Sequence, residues 1–311
     1  MVVMQTIARG LKYVDLKFLG YSRAIATAVL QGPSGIALID PGPATCLDTL
    51  RLSLDTHGMA ISDIRAVLLT HIHLDHAGAT GSLVRENSDI TVYVHENGAR
   101  HIANPEKLLA SAGRLYGNNM DRLWGEVAPI PLSNIKHLIG GEKIDMCNRT
   151  LEVIYMPGHA SHHVGFFDSS TGVAFVGDTA GMRLGKELFA MPPTPPPDID
   201  VEAWFASVDL IRKKQPSTLF VTHFGPYEDV GAHLDMLLEN LATAKEIARK
   251  TIASKGSDDD KMNDFIDQMR RHIRRHLSAQ QTDLFDGAPL GPLALGWLGL
   301  ARYWKKQGLT G

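Results

Sequence analysis

The chain has 311 residues, 44% of them hydrophobic, enough to bury a substantial core as one large unit or two modest ones. Its 31 Lys and Arg against 34 Asp and Glu leave a formal net charge of −3, so it lacks the broad cationic field that gathers nucleic-acid backbones, and nucleic acid is not expected as a partner. The two cysteines, Cys46 and Cys147, stand far apart without a CxxC partner, which argues against a disulfide framework or a thiolate metal site and fits a reducing, cytoplasmic setting.

Polar and charged residues interrupt positions 1–21 throughout, so no secretory leader is expected there. Over 24–39 two apolar, β-branched runs flank Gly32-Pro33-Ser34-Gly35 and end at Asp40-Pro41-Gly42, which predicts a hairpin feeding a loop. Leu47, Leu50, Leu52 and Leu54 recur at roughly helical spacing before Gly58, predicting an amphipathic helix over 45–57. A short buried-type strand over 66–70 runs directly into a histidine cluster. A further strand over 90–94 precedes a long helical stretch over 96–126, and strands resume near 150–155, 164–168, 173–176 and 219–222. After His223 the pattern is helical only: 228–254, a breaker over 255–260, then 262–278 and 291–306. The most apolar tail segment, 289–301, is far short of the ~20 residues that span a bilayer, so no membrane segment is expected.

The chemistry concentrates in Thr70-His71-Ile72-His73-Leu74-Asp75-His76, four ligand-type side chains directly after a buried strand. In a two-residue alternation His71 and His73 point the same way, and a turn beyond them brings Asp75 and His76 to a neighbouring position, so one metal can use the first pair and a second metal the other. Imidazoles and carboxylates are the donor set that zinc accepts. Three more candidates each sit just past a strand: His159 after Met156-Pro157-Gly158, Asp178 after Gly177, and His223 after Thr222.

This pattern resembles the metallo-β-lactamase superfamily of hydrolases, whose His-x-His-x-Asp-His signature is matched by His71, His73, Asp75 and His76. The resemblance extends to Asp40 at the end of the hairpin, Pro157-Gly158-His159, Gly177-Asp178-Thr179 and His223, and covers about 24–226. It implies an α/β fold, the four-layer αβ/βα sandwich, as a catalytic domain over 1–226, with an α-helical extension over 227–311. It also implies two divalent metal ions, zinc first with iron or manganese as alternatives. His71, His73 and His159 would hold one, Asp75, His76 and His223 the other, and Asp178 would bridge them. Asp40 and His163 are expected behind these ligands, Asp40 orienting a metal-bound histidine. Two divalent ions, less the charges of Asp75, Asp178 and a bridging hydroxide, leave the site cationic, able to lower the pKa of bound water towards ~7 and to polarise a carbonyl. Asp75 is the residue expected to be indispensable for turnover.

The helical extension is placed like that of glyoxalase II, a hydroxyacylglutathione thioesterase, which implies a thioester or ester of a small acyl substrate. The Lys/Arg-rich glutathione signature of that family is missing, so the thiol portion stays open. Lactonases share the seven ligands and form the close alternative; a phosphodiesterase or nuclease and an iron-dependent persulfide dioxygenase stand further off, and a homodimer is allowed. His57, His95, His101, His137, His233, His272 and His276 read as packing or surface histidines and His162 as incidental. Residues 192–197, rich in proline, read as a stiff spacer or a groove wall. The basic run over 270–275 reads as a solvated helix face.

Overall fold

The computed structural model describes residues 3–183, 189–278 and 291–309. Seven strands form one sheet in sequential order: β1 (Gln5–Ala8), β2 (Leu11–Asp15), β3 (Ala26–Gly32), β4 (Gly35–Ile39), β5 (Ile64–Leu68), β6 (Thr91–His95) and β7 (Ile135–Leu138). Pairing is antiparallel from β1 to β4 and parallel from β4 to β7. The second sheet contains β8 (Lys143–Met146), β9 (Arg149–Tyr155), β10 (Val164–Asp168), β11 (Val173–Phe175), β14 (Thr218–Val221) and β15 (Gly225–Tyr227), in the order β15-β14-β11-β10-β9-β8. A separate pair joins β12 (Met182–Arg183) to β13 (Ala190–Met191).

Alternation along the strands explains why the sheets stack. In β4, Ala37 and Ile39 face the core between the sheets while Ile36 and Leu38 face outward; in β14, Phe220 faces inward while Leu219 and Val221 face outward. Central strands buried on both faces are apolar at nearly every position, as their sequences are. The outer face of the first sheet is covered by α1 (Leu47–Thr56), α3 (Thr80–Glu86) and α4 (Glu96–Ala103), and that of the second by α7 (Val201–Lys214) and α8 (Val230–Ala253). This is the four-layer αβ/βα sandwich.

α9 (Asp258–Arg274) and α10 (Gly291–Lys306) extend the core of α7 and α8, burying Phe265, Met269, Leu293 and Trp297 in it. No helix among the described residues is long and apolar enough to cross a membrane.

Three local differences from the sequence reading have clear causes. The stretch over 96–126 divides into α4, α5 (Glu106–Tyr116) and α6 (Met120–Trp124), with Gly117 and Gly125 at positive φ after the last two. α9 begins at Asp258, inside the expected breaker. There Ser257 Oγ accepts from the Asp260 N–H, and the Asp260 carboxylate accepts from the Ser257 N–H, a capping box in which acidic residues also suit the helix dipole. The short edge strands β1, β7 and β8 lack a strong apolar run, because edge positions leave residues such as Lys136 and His137 exposed. The start of the apolar tail, 289–290, lies outside the described residues.

Candidate metal centre

Five strand ends deliver the candidate residues to one edge of the sandwich: Asp40 follows β4, His71 to His76 follow β5, His159 follows β9, Asp178 follows β11 and His223 follows β14. His73 caps a single helical turn, α2 (Leu74–Ala77), which rotates Asp75 and His76 away from the direction shared by His71 and His73.

His71 Nε2 and His159 Nε2 lie 3.0 and 2.9 Å from His73 Nδ1. On the other side His223 Nε2 is 3.2 Å from Asp75 Oδ2, and His76 Nε2 is 3.9 Å from the same oxygen. Asp178 lies between the groups, with Oδ1 3.2 Å from His76 Nε2 and 3.6 Å from His223 Nε2, and Oδ2 3.4 Å from His159 Nε2. The structure thus brings together all seven side chains expected from the sequence, as overlapping sets whose donor atoms lie within 4.8 Å of one another.

The chemistry of this donor set fits divalent cations. Although 3.2 Å apart, His76 Nε2 and Asp178 Oδ1 are not aligned for a hydrogen bond to each other or to any other described group, and such buried atoms cost about 1–3 kcal/mol each unless something accepts their lone pairs. Burial holds His71 well below the usual histidine range and brings His73 down to about 4, so both present neutral nitrogens at ordinary pH. For His76 and His223 burial is the largest single influence and acts in the same downward direction, but the carboxylates together outweigh it, Asp178 with Asp40 and Asp75 at His76 and Asp178 with Asp75 at His223, and both are raised. Burial would raise Asp178, yet His76, His223 and His159 hold it well below the carboxylate range. The centre therefore favours positive charge among ionised carboxylates and lone-pair nitrogens, the environment of a metal site.

The second ring nitrogen of each of three histidines is fixed by an acceptor. His76 Nδ1 donates to Asp40 Oδ2 (2.8 Å), His159 Nδ1 to the Pro193 carbonyl (2.8 Å) and His223 Nδ1 to the Ala24 carbonyl (2.7 Å). In the neutral tautomer each Nε2 is then left with its lone pair facing the centre. Asp40 is fully buried at φ 51, a left-handed conformation that Asp tolerates better than most residues. Its carboxylate also accepts from Thr70 N–H (2.8 Å), Thr70 Oγ1 (2.7 Å) and Thr222 Oγ1 (2.9 Å).

His163 is fully buried behind the donors, and its Nε2 accepts from the Asp178 N–H (3.1 Å). With Nε2 accepting, Nδ1 carries the proton and donates to Thr179 Oγ1 (3.2 Å), which donates to the Met156 carbonyl (3.3 Å). Gly177 makes this possible: it sits at φ 46, and a Cβ there would lie 2.5 Å from Thr70 Oγ1 and 2.7 Å from His163 Nε2.

His162 is not incidental to the site. It is buried, stacks over His71 at a centroid distance of 6.2 Å, and lines the cavity that opens on the centre. His101 also lines this cavity, whereas His57, His137, His233, His272 and His276 do not. The cavity, of about 1690 Å³, exposes His73, Asp75, His159, Asp178 and His223 to its interior. Residues 192–197 form one wall, and Pro193 supplies the carbonyl that holds His159. Sequence reasoning missed the Pro193 and Ala24 carbonyls, since a backbone acceptor has no residue-type signature. It also missed Thr70 and Thr222, which could have been read from their places beside His71 and His223.

A family model of the metallo-beta-lactamase superfamily matches residues 22–223. A metallo-beta-lactamase fold-containing protein of Sulfurisphaera tokodaii is 26% identical over 220 residues, covering 70% of this chain and 79% of that protein. A hydroxyacylglutathione hydrolase of Aeromonas hydrophila subsp. hydrophila is 28% identical over 142 residues, 46% of this chain and 41% of the relative. The crystal structure of a metallo-beta-lactamase family protein from Thermus thermophilus superposes with a TM-score of 0.72 over 98% of this chain and 96% of that one, at 21% identity. Sequence match, sandwich and histidine–aspartate cluster agree, and this chain belongs to the metallo-β-lactamase superfamily, a family of metal-binding hydrolases.

Proposed function

We propose that the chain is a binuclear metal-dependent hydrolase that cleaves a thioester or ester of an acyl substrate. The observation that carries this reading is Asp178, whose two oxygens face different donor groups, Oδ1 towards His76 and His223 and Oδ2 towards His159. His71, His73 and His159 would hold one ion and Asp75, His76 and His223 the other, with Asp178 shared. Zinc suits this set of imidazoles and carboxylates, and two such ions supply an acidified water and Lewis-acid polarisation of a carbonyl. The chain's own part is to aim the donor nitrogens, through the acceptors at Asp40, Pro193 and Ala24 that hold each Nδ1 proton away from the centre, and to hold Asp178 through His163. Partial similarity to a hydroxyacylglutathione hydrolase supports a thioester, as does the helical layer beside the centre.

Metal analysis joined to a hydrolysis screen over thioesters, esters, lactones, phosphodiesters and β-lactams tests the proposal. About two metal ions per chain are expected, with turnover lost on chelation and restored by zinc. A single iron with oxygen consumption on a persulfide would overturn it.

A second expectation concerns the wall over 192–197. α10 packs against it so closely that a Cβ on Gly299 would lie 2.0 Å from the Thr194 carbonyl oxygen, next to the Pro193 carbonyl that orients His159. Gly299→Ala must shift this wall and is expected to weaken metal binding by about tenfold, the lower end for loss of an orienting partner. Gly296→Ala meets only the Thr194 hydroxyl at 3.1 Å and should change little. A competition titration with a chromogenic chelator checks both.

A further inference from the structure

The cavity over the centre has two unlike lobes. On the side of α8, α9 and α10 its wall is apolar, formed by the partly exposed Met262, Ala294 and Leu295 with the buried Ala244, Phe265, Met269 and Leu293 behind them, and no acidic residue is among them. On the side of α5 and α6 its floor is also apolar, with Trp124 stacked on Phe18 at 5.7 Å, but its edge carries the exposed cations Arg100, Lys107 and Arg122. Apart from the donors Asp75 and Asp178, the only acid lining the cavity among the described residues is Asp198, which accepts from Ser161 Oγ. At about 1690 Å³ the space exceeds the ~300–1,000 Å³ typical of small-ligand sites.

A polar tripeptide thiol with a short hydroxyacyl group would leave the apolar lobe without a partner. Resting on the hydrolase reading above, we infer that the substrate is an amphiphilic thioester: a medium or long alkyl acyl chain lies in the lobe walled by Met262, Ala294 and Leu295, and a phosphate-bearing thiol lies along the edge formed by Arg100, Lys107 and Arg122. In the reaction the C–S bond breaks; water supplies a hydroxyl to the acyl carbon and a proton to the sulfur, giving a fatty acid and the free thiol. Burial of each methylene in the apolar lobe supplies the chain-length preference, and the edge cations recognise the phosphates.

The test uses the metal-loaded full chain with coenzyme A thioesters from acetyl to hexadecanoyl, N-acetylcysteamine thioesters of the same acyl groups, and displacement of a fluorescent fatty-acid analogue by dodecanoate. The expected result is a kcat/KM that rises at least about tenfold from butanoyl to dodecanoyl, with displacement by dodecanoate but not by butanoate. Ala294→Trp, which fills the partly buried lobe wall, should move the optimum to shorter chains. Lys107→Glu combined with Arg122→Glu should lower kcat/KM about tenfold for the coenzyme A thioester and leave the N-acetylcysteamine thioester unchanged. Hydrolysis with a flat or falling chain-length profile would overturn this inference and leave the hydrolase reading standing. Chain-length-dependent displacement without hydrolysis of any thioester would keep the acyl lobe and overturn the thioester as substrate; neither hydrolysis nor displacement would overturn both the lobe and the thioester.

Discussion

Asp75→Ala is expected to lower kcat by about a thousandfold or more on any good substrate while the chain stays folded. The Asp75 side chain is 25% exposed and faces the cavity, so its removal opens no void in the apolar core. What is lost is the only carboxylate in the group it shares with His76 and His223, which leaves two imidazoles to hold the ion. Burial would raise this carboxylate, but His76 and His223 hold it well below the ordinary range, so it is ionised at any pH at which the centre works. The expected signature is a loss of one metal per chain, collapse of kcat, and a melting curve within about 1 kcal/mol of the parent. Metal content by elemental analysis, steady-state kinetics and thermal unfolding together decide it. Turnover retained above a tenth of the parent value would remove Asp75 from the mechanism.

The contrast between what was readable in the sequence and what was not follows from the kinds of contact involved. The donors were legible because four ligand-type side chains crowd the turn after β5, and because His159, Asp178 and His223 each follow an apolar strand. The sandwich was legible because central strands buried on both faces must be apolar throughout. The start of α9 was obscured because three aspartates resemble a solvated loop until Ser257 is recognised as a cap. The role of residues 192–197 was hidden for a different reason: it depends on one carbonyl, that of Pro193, and on glycines of α10 that become neighbours only in the folded chain. His162 was underestimated because its position over His71 is set by the turn after β9, which no periodicity predicts.

Asp40 separates stability from metal binding in a way that two substitutions can reveal. Its carboxylate is fully buried and accepts from Thr70 N–H, Thr70 Oγ1, Thr222 Oγ1 and His76 Nδ1, tying β4, β5 and β14 together behind the centre. Asp40→Ala leaves those donors without their acceptor in the interior, at about 1–3 kcal/mol for each that finds no replacement, so a total loss of about 3–5 kcal/mol is expected. Asp40→Asn keeps the volume and can still accept from the Thr70 N–H, so it should cost about half as much. Its amide nitrogen, however, replaces the oxygen to which His76 Nδ1 donates. His76 then relieves the clash of donors by accepting at Nδ1 and carrying its proton on Nε2, the nitrogen that faces Asp178. That proton occupies the lone pair a metal needs, so Asp40→Asn is expected to weaken binding by about 10–100-fold, comparable to Asp40→Ala despite its milder effect on folding. Urea unfolding of the metal-free variants reads the first quantity and chelator competition the second, while ¹⁵N shifts of the His76 ring report the tautomer. If metal affinity simply tracked stability across the two variants, with His76 unchanged, Asp40 would be a fold residue alone and the orienting role assigned to it would be wrong.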